Sequence, residues 1–124
     1  MSDKINDAAK TVHKEMGAGY TESVYHSALQ VELSRRGIEH SSEGTIPIIY
    51  RGKPVGRRRP DLFVETEAGV VVIELKAGTN SGDQQLLQYL DLLDQDNNFS
   101  IVEGRLIHFN SDCEISTKEL DSDQ

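Results

Sequence analysis

The segment that most restricts the fold is residues 70–76, which read Val-Val-Val-Ile-Glu-Leu-Lys. Its four consecutive β-branched residues favour an extended strand. Because the segment is apolar at every position before Glu74, it is typical of a central strand that helices cover on both faces. Glu74 and Lys76 stand two residues apart, so they point to the same side of the strand. The sequence therefore predicts an α/β protein in which a buried strand ends in a pair of charged side chains.

Helices and further strands are predicted around this segment. Apolar residues spaced by three and four predict a helix over residues 5–16, and Thr21 is expected to cap a second helix that reaches about residue 36. β-Branched and aromatic residues predict a strand over residues 46–50, and a turn at residues 51–54 is expected to lead into a second strand over residues 55–64. The remaining predicted elements are strands over residues 99–109 and 114–117 and a leucine-striped helix over residues 82–93.

Length and composition indicate one globular domain. The chain has 124 residues, of which 36% are hydrophobic and 27% charged, and this excludes a disordered protein. We expect one domain over residues 1–118 and an acidic tail over residues 119–124. A single cysteine, Cys113, excludes an internal disulfide. No membrane-length apolar run and no secretory signal are visible, so a cytoplasmic protein without a membrane partner is expected.

The charge is unevenly distributed along the chain. The net charge is −8, yet residues 1–78 contain eleven basic and eleven acidic residues, so the acidic excess lies in residues 79–124. Within the balanced part, a basic island contains no acidic residue and consists of Arg51, Lys53, Arg57, Arg58 and Arg59. Such an island is either a solvated hairpin or a surface that binds a phosphate backbone.

Three charged residues form the candidate chemical site. Asp61 follows a proline at the start of one predicted strand, and Glu74 and Lys76 end the next apolar strand. If these strands pair, both carboxylates and the backbone carbonyl of Leu75 offer the oxygen ligands that Mg²⁺ prefers. Lys76 would then position the attacking water and stabilise developing charge. The alternative is a plain Glu–Lys ion pair, with Asp61 capping a turn.

The ordered motifs resemble a known superfamily. Arg59-Pro60-Asp61 together with Glu74-Leu75-Lys76 resembles the PD-(D/E)xK nucleases, and residues 19–25, Gly-Tyr-Thr-Glu-Ser-Val-Tyr, resemble the signature of their GxxExxY family. The likeness covers roughly residues 5–110. It implies a restriction-endonuclease-like mixed central sheet flanked by helices, with a divalent-metal site. It also implies that Glu22 is a further carboxylate of that site and that Gln85 and Tyr89 lie nearby.

The residues that the resemblance adds to the site each have a structural explanation as well as a functional one. Glu22 directly follows the Thr21 cap, where the helix dipole favours any carboxylate. Gln85 and Tyr89 are one helical turn apart and could equally form a solvent-exposed helix flank. Tyr25 is expected to pack in the core with a polar tip. The four histidines do not have the spacing of metal ligands, so each is expected to have a structural role or to lie at the surface. They are His13, His26, His40 and His108.

The leading hypothesis is a metal-dependent nuclease that acts on DNA with Mg²⁺ or Mn²⁺. Its predicted catalytic residues are Glu22, Asp61, Glu74, Lys76 and Gln85. Its predicted metal ligands are Asp61, Glu74, the Leu75 carbonyl and Glu22, and its predicted substrate-binding residues are Lys53, Arg57, Arg58, Arg59 and Tyr89. The alternatives are a catalytically silent nucleic-acid-binding or protein-interaction module on the same fold, and a Holliday-junction-type resolvase. A resolvase would form a symmetric homodimer, and a domain this small is otherwise expected to need a partner protein.

Overall fold

A computed structural model describes residues 3–78 and 101–119 of the chain. In chain order, the described elements are α1 (Lys4–Met16), α2 (Glu22–Arg35), β1 (His40–Ser41), β2 (Ile46–Tyr50), β3 (Lys53–Arg58), β4 (Leu62–Thr66), β5 (Gly69–Ala77), β6 (Ile101–Phe109) and β7 (Cys113–Glu119). Five strands form one sheet in the order β1-β4-β5-β6-β7, and β2 and β3 form a separate two-stranded hairpin. The β5–β6 pair is parallel and the other pairs are antiparallel, so the sheet is mixed, as predicted.

Both described helices begin at side-chain caps. The Asp3 carboxylate accepts hydrogen bonds from the backbone N–H groups of Ile5 and Asn6, each at 3.1 Å. The Thr21 hydroxyl accepts from the Val24 N–H, which confirms the predicted start of α2. Gly17, at φ 77°, ends α1 in a conformation that favours glycine. The predicted bounds of both helices therefore agree with the structure to within one residue.

The helices cover one face of the central strand. Alternate residues of β5, Val71, Ile73 and Leu75, pack with the buried stripes of α1 and α2 in the larger core cluster. On the other face, Val72 packs with Ile46 of the hairpin and with residues of β6. The third predicted helix, over residues 82–93, lies outside the described residues. The double-sided burial that the apolar run of β5 predicts is confirmed, with the hairpin contributing to the second face.

The predicted strand over residues 55–64 is wrong as a single element. It is two strands in different sheets, because β3 pairs with β2 while β4 pairs with β5. The break falls at Arg59 and Pro60. Proline has no N–H to donate to a ladder, so regular pairing stops there and the chain changes sheets. The two-residue strand β1 was not predicted, since it is too short to show a pattern.

Several predicted elements extend beyond the residues that the structure describes. Strand β6 begins at Ile101 and β7 extends from Cys113 to Glu119, so both agree with the predicted strands where the structure describes them. The single-domain boundary at residue 118 stays a prediction, and the acidic tail lies outside the described residues apart from Glu119. Neither described helix is long and apolar enough to cross a membrane.

Candidate active site

The two acidic side chains are brought together where β4 meets β5. In the antiparallel register, Leu62 lies opposite Ile73, so Asp61 lies beside Glu74. The Asp61 N–H donates to Glu74 Oε1 at 3.0 Å, and the Leu75 N–H donates to Asp61 Oδ2 at 2.6 Å. Each carboxylate therefore holds a backbone N–H of the other strand. The predicted meeting of Asp61 and Glu74 is confirmed as geometry.

Glu74 is a buried carboxyl with a perturbed pKa. Only 7% of the residue is exposed. Burial raises the pKa of Glu74, and the nearby negative charge of Asp61 raises it further. The Arg58 guanidinium and the hydrogen bond from the Asp61 N–H oppose this rise in pKa without cancelling it. A carboxyl in this state gains from any additional positive charge beside it.

Arg58 supplies positive charge to this carboxyl. Its Nη2 lies 2.7 Å from Glu74 Oε2, and its side chain is 28% exposed. The sequence interpretation placed Arg58 among the residues that bind substrate. That role stays a prediction, and in the structure the Arg58 guanidinium, at the end of β3, also pairs with the buried carboxylate. Arg58 consequently belongs to the candidate site in addition to the basic island.

The other arginines next to Arg58 hold the hairpin to the preceding loop. Arg57 donates from Nε and Nη2 to the Thr45 hydroxyl at 3.2 and 3.1 Å. Arg59 donates from Nε and Nη2 to the Ser42 carbonyl, each at 3.2 Å. Both residues remain exposed, as does Lys53. These three basic side chains are therefore accessible, as their predicted role in substrate binding requires.

Lys76 and Leu75 complete the end of β5. Lys76 shares the face of Glu74 and is half-buried, opposite His108 in the register with β6. The Leu75 side chain is buried in the helix-side core, and its backbone lies between the two charged residues. The predicted constellation of Asp61, Glu74 and Lys76 therefore occupies one end of the sheet.

Helix α2 contacts this site through a histidine that sequence reasoning assigned to a structural or surface role. His26 Nε2–H donates to the Asp61 backbone carbonyl at 2.8 Å. Glu22, the first residue of α2, is half-buried and lies one helical turn before His26. Their spacing of four residues was the signal that could have linked His26 to Glu22. Gln85 and Tyr89 lie outside the described residues.

Tyr25 has a structural role, as predicted. It is fully buried, and its ring stacks on Phe109 with the centroids 4.3 Å apart and the planes 3° apart. Its hydroxyl donates to the Gly17 carbonyl at 2.5 Å, which fixes the segment between α1 and α2. His13 is also structural, since its Nε2 donates to the Asn110 carbonyl at 2.7 Å.

The donor set suits a hard divalent cation. Two adjacent carboxylates and a backbone carbonyl match Mg²⁺, which keeps several waters and needs few protein ligands. Burial and the nearby charge of Asp61 raise the pKa of Glu74, and a cation beside this carboxyl would favour its charged form. Over residues 3–78 and 101–119, no group of three or more His, Cys, Asp or Glu side chains forms a complete metal cage. Of the cations common in proteins, Mg²⁺ and Mn²⁺ therefore fit better than Zn²⁺.

Fold and site together define an α/β protein with an acidic pair and a lysine at the end of a central strand. A family model of the PD-(D/E)XK nuclease superfamily matches residues 1–120, and the chain belongs to this superfamily. The members of this superfamily are generally nucleases. The narrower likeness to the GxxExxY family stays a prediction.

Comparison with solved structures supports the same fold. The crystal structure of SSO0001 superposes with a TM-score of 0.54 at 19% sequence identity, over 82% of this chain and 52% of that one. The chain thus spans about half the length of SSO0001, and the likeness shows the fold alone. No curated protein matches the chain. The predicted restriction-endonuclease-like fold is confirmed.

Proposed function

We propose that this protein is a metal-dependent nuclease that hydrolyses phosphodiester bonds, with DNA as its substrate. The observation that carries the proposal is the pairing of Asp61 with Glu74 at the end of a buried strand, with Lys76 on the same face. Placing the buried Glu74 carboxylate beside the half-buried Asp61 carboxylate is unfavourable unless a cation compensates for their charge. A site of this kind in a nuclease superfamily favours catalysis over a purely structural role.

Mg²⁺ or Mn²⁺ would be held by Asp61, Glu74 and the Leu75 carbonyl. Glu22 is proposed as a supplementary carboxylate that acts through a water ligand or after its side chain moves, because over residues 3–78 and 101–119 it forms no three-membered ligand group with Asp61 and Glu74. When bound, such an ion lowers the pKa of a water ligand and neutralises charge on the phosphate. The two backbone N–H contacts fix Asp61 and Glu74 before any ion arrives. Because the oxygens are already oriented, little conformational entropy is lost on binding.

Lys76 is proposed to orient the attacking water and to stabilise the charge that develops on the phosphate. Its position on the Glu74 face of β5 supports this role. His26 is a positioning residue, because it binds the backbone of Asp61 rather than the reacting atoms. Gln85 and Tyr89 are proposed to assist the water and to hold the substrate, on the strength of the family resemblance.

The exposed basic side chains Lys53, Arg57 and Arg59 are proposed to bind the phosphate backbone. They lie on or directly after the hairpin whose last residue, Arg58, contacts Glu74. Their charge is concentrated next to the site, while the acidic excess lies in residues 79–124. A local basic surface can attract DNA even when the net charge is negative.

The proposal is tested by cleavage of labelled single-stranded, duplex and four-way-junction DNA with Mg²⁺ or Mn²⁺. Lys76→Ala is compared with Lys14→Ala, which removes an exposed lysine from α1, away from the site. We expect metal-dependent cleavage by the wild type and by Lys14→Ala, and a loss of at least about a hundredfold in Lys76→Ala. Equal cleavage by both variants would refute the role of Lys76. Selective cleavage of the junction by a dimer would identify a resolvase.

One observation favours a second candidate, a catalytically silent nucleic-acid-binding module. The Arg58 guanidinium already compensates part of the charge of Glu74 without a metal ion. Such a module would bind DNA through the basic island, and Mg²⁺ would neither bind to it nor stabilise it. Calorimetric titration with Mg²⁺ separates the two functions, since the nuclease requires binding that depends on Glu74.

A further inference from the structure

We infer that the tip of the β2–β3 hairpin is a stacking site for an unpaired nucleotide, so that the substrate is single-stranded or branched nucleic acid. This inference names the substrate class of the proposed nuclease and rests on its nucleic-acid substrate. It depends on Tyr50, Arg51 and Gly52, which have no role in the site at Glu74. Three separate observations support it.

The first observation is an exposed aromatic ring at a basic tip. Tyr50 ends β2 opposite Lys53 and is 61% exposed. Large aromatic rings usually bury much of their surface, so one this exposed at a hairpin end does not serve the core. The neighbouring Arg51 and Lys53 supply positive charge and no acidic residue lies in the island. An accessible ring among cations is the arrangement by which proteins hold nucleobases while binding phosphates.

The second observation is that the ring is already held in place. The Arg51 guanidinium carbon lies 5.5 Å from the Tyr50 ring centroid, and Arg51 Nε donates to the Tyr50 hydroxyl at 3.1 Å. This cation–π contact and hydrogen bond restrict the ring. Both groups are planar and can stack on a base. A nucleotide that binds at the tip would therefore stack on side chains that are already held in place.

The third observation is an unfavourable residue at the turn. Arg51 has φ 52° and Gly52 has φ 80°, so both central residues of the turn adopt left-handed conformations. Turns of this type favour Asn, Asp or Gly at the first position. Among the described residues, Arg51 is the one non-glycine with positive φ. Backbone outliers of this kind concentrate at functional sites, and here the strained residue carries the cation on the ring.

Base pairing decides which nucleic acid fits this tip. In a duplex, both faces of each internal base are covered by its neighbours, so a protein ring has no base to stack on. An unpaired base exposes its faces at a lower cost of unstacking than a paired base. The hairpin base is at the site, because Arg58 contacts Glu74, and five residues of strand separate it from Lys53 at the tip. At about 3.3 Å per residue this is about 16 Å, so the unpaired nucleotide would be held about 16 Å along the hairpin from the site at Glu74.

The first test uses the absence of tryptophan from the chain. Tyr50→Trp places a single fluorophore at the tip, and Val55→Trp is the matched control because Val55 is 63% exposed on the same hairpin. Each variant is titrated in EDTA with a single strand, a fork with unpaired arms and a blunt duplex of equal length. We expect strong quenching of the Tyr50→Trp emission by the single strand and the fork, and little by the duplex. Equal quenching by the duplex, or equal quenching in Val55→Trp, would overturn the inference.

The second test measures affinity for the same three probes by fluorescence anisotropy. Tyr50→Ala is expected to bind the single strand and the fork at least about fivefold more weakly, and to bind the duplex unchanged, whereas Tyr50→Phe keeps the stack. Arg51→Asn removes the guanidinium and places at the turn a residue that its backbone conformation favours. Any loss of affinity for the single strand in that variant therefore does not come from an unfolded hairpin. Equal losses on all three probes, or no loss, would refute the stacking site.

Binding without metal also separates this inference from the proposed activity. A protein that shows selective quenching and never cleaves would support the stacking site and contradict the nuclease. A protein that cleaves duplex DNA with the same efficiency in Tyr50→Ala and wild type, without preference for forks, would support the nuclease and contradict the stacking site. A wild type that binds none of the probes would overturn the inference together with its nucleic-acid substrate.

Discussion

Replacing Arg58 with methionine removes the cation that compensates Glu74 and keeps much of the apolar side-chain volume. Removing one partner of a buried ion pair costs about 3–5 kcal/mol. The Arg58 side chain is 28% exposed, and Glu74 can take up a proton instead of remaining charged. We therefore expect a smaller loss in the free energy of unfolding of the metal-free protein, about 1–3 kcal/mol at pH 7. For a chain of this length, that lowers Tm by roughly 4–12 °C.

The same substitution is expected to strengthen metal binding. Mg²⁺ entering the site must displace or repel the Arg58 guanidinium, which lies 2.7 Å from Glu74 Oε2. Without this competing cation, the paired carboxylates attract the ion more strongly, and we expect about tenfold tighter binding, or ~1.4 kcal/mol. Added Mg²⁺ should then recover more stability in the variant than in the wild type.

The pH dependence of the effect follows from the pKa of Glu74. Its pKa is raised above the ordinary value of 4.5, mainly by burial. A carboxyl shifted in this direction stabilises the folded state below its unfolded pKa, and that contribution is lost as the pH rises through the folded pKa. Arg58→Met removes a group that lowers this pKa, so the loss of stability should be largest near pH 7 and should vanish toward pH 4.

The assays are isothermal titration calorimetry with Mg²⁺ and thermal unfolding between pH 4 and pH 8. Arg57→Met is the matched control, because Arg57 precedes Arg58 in the chain but bonds to Thr45 rather than to Glu74. It should leave Mg²⁺ affinity unchanged. Unchanged or weaker Mg²⁺ binding in folded Arg58→Met would refute the reasoning that Arg58 and the metal compete for one carboxylate.

Three further predictions concern the site, the substrate and the helix caps. Glu74→Gln keeps an acceptor for the Asp61 N–H but loses the negative charge. Calorimetry should therefore show at least about tenfold weaker Mg²⁺ binding by a variant that is still folded. Unchanged Mg²⁺ affinity would show that Glu74 is not a metal ligand. Replacing Arg57 and Arg59 together with alanine should weaken DNA binding and reduce the slope of log K against log salt by about 1.8; an unchanged slope would exclude phosphate contacts by both. Asp3→Ala should cost about 1–2 kcal/mol in urea unfolding, because Asp3 caps α1 and pairs with Arg105. Hydrogen bonding from Arg105 lowers the pKa of Asp3. The stability that this pair gives the wild type is therefore present above the unfolded pKa of about 3.8 and is lost as the pH falls below it. Equal sensitivity of the wild type and Asp3→Ala to acid would contradict this reasoning.

The parts of the fold that the sequence predicts are those with strong local patterns. The apolar run of β5, the caps at Thr21 and Gly17 and the acidic pair all leave periodic or spaced signals. The division at Pro60 was missed, because the segment between the turns at residues 51–54 and 67–69 was assigned to one strand from Val55 to Val64. A proline inside a predicted strand was the available signal.

The inward direction of Arg58 and the contact of His26 with Asp61 depend on how separate elements pack. Alternation along a strand places Arg58 on the face opposite its exposed neighbours Arg57 and Arg59, but it does not show which of the two faces lies toward Glu74. Only the crossing of the hairpin over the end of β5 separates their roles. For His26, the spacing of four residues places it on the same helix face as Glu22, but it does not show which strand that face contacts. Long-range geometry of this kind cannot be read from one sequence.

The reciprocal backbone contacts of Asp61 and Glu74 affect how an inactive form of this protein should be made. Each of these side chains closes a hydrogen bond across the junction of β4 and β5, so truncating either one disturbs the strand junction as well as the chemistry. A phenotype caused by such a substitution would combine the loss of activity with a loss of folded protein. Lys76 accepts no backbone hydrogen bond, because its ammonium group can only donate. Substitution at Lys76 is therefore the cleaner route to a stable variant that retains bound substrate, for use as a trap in cells.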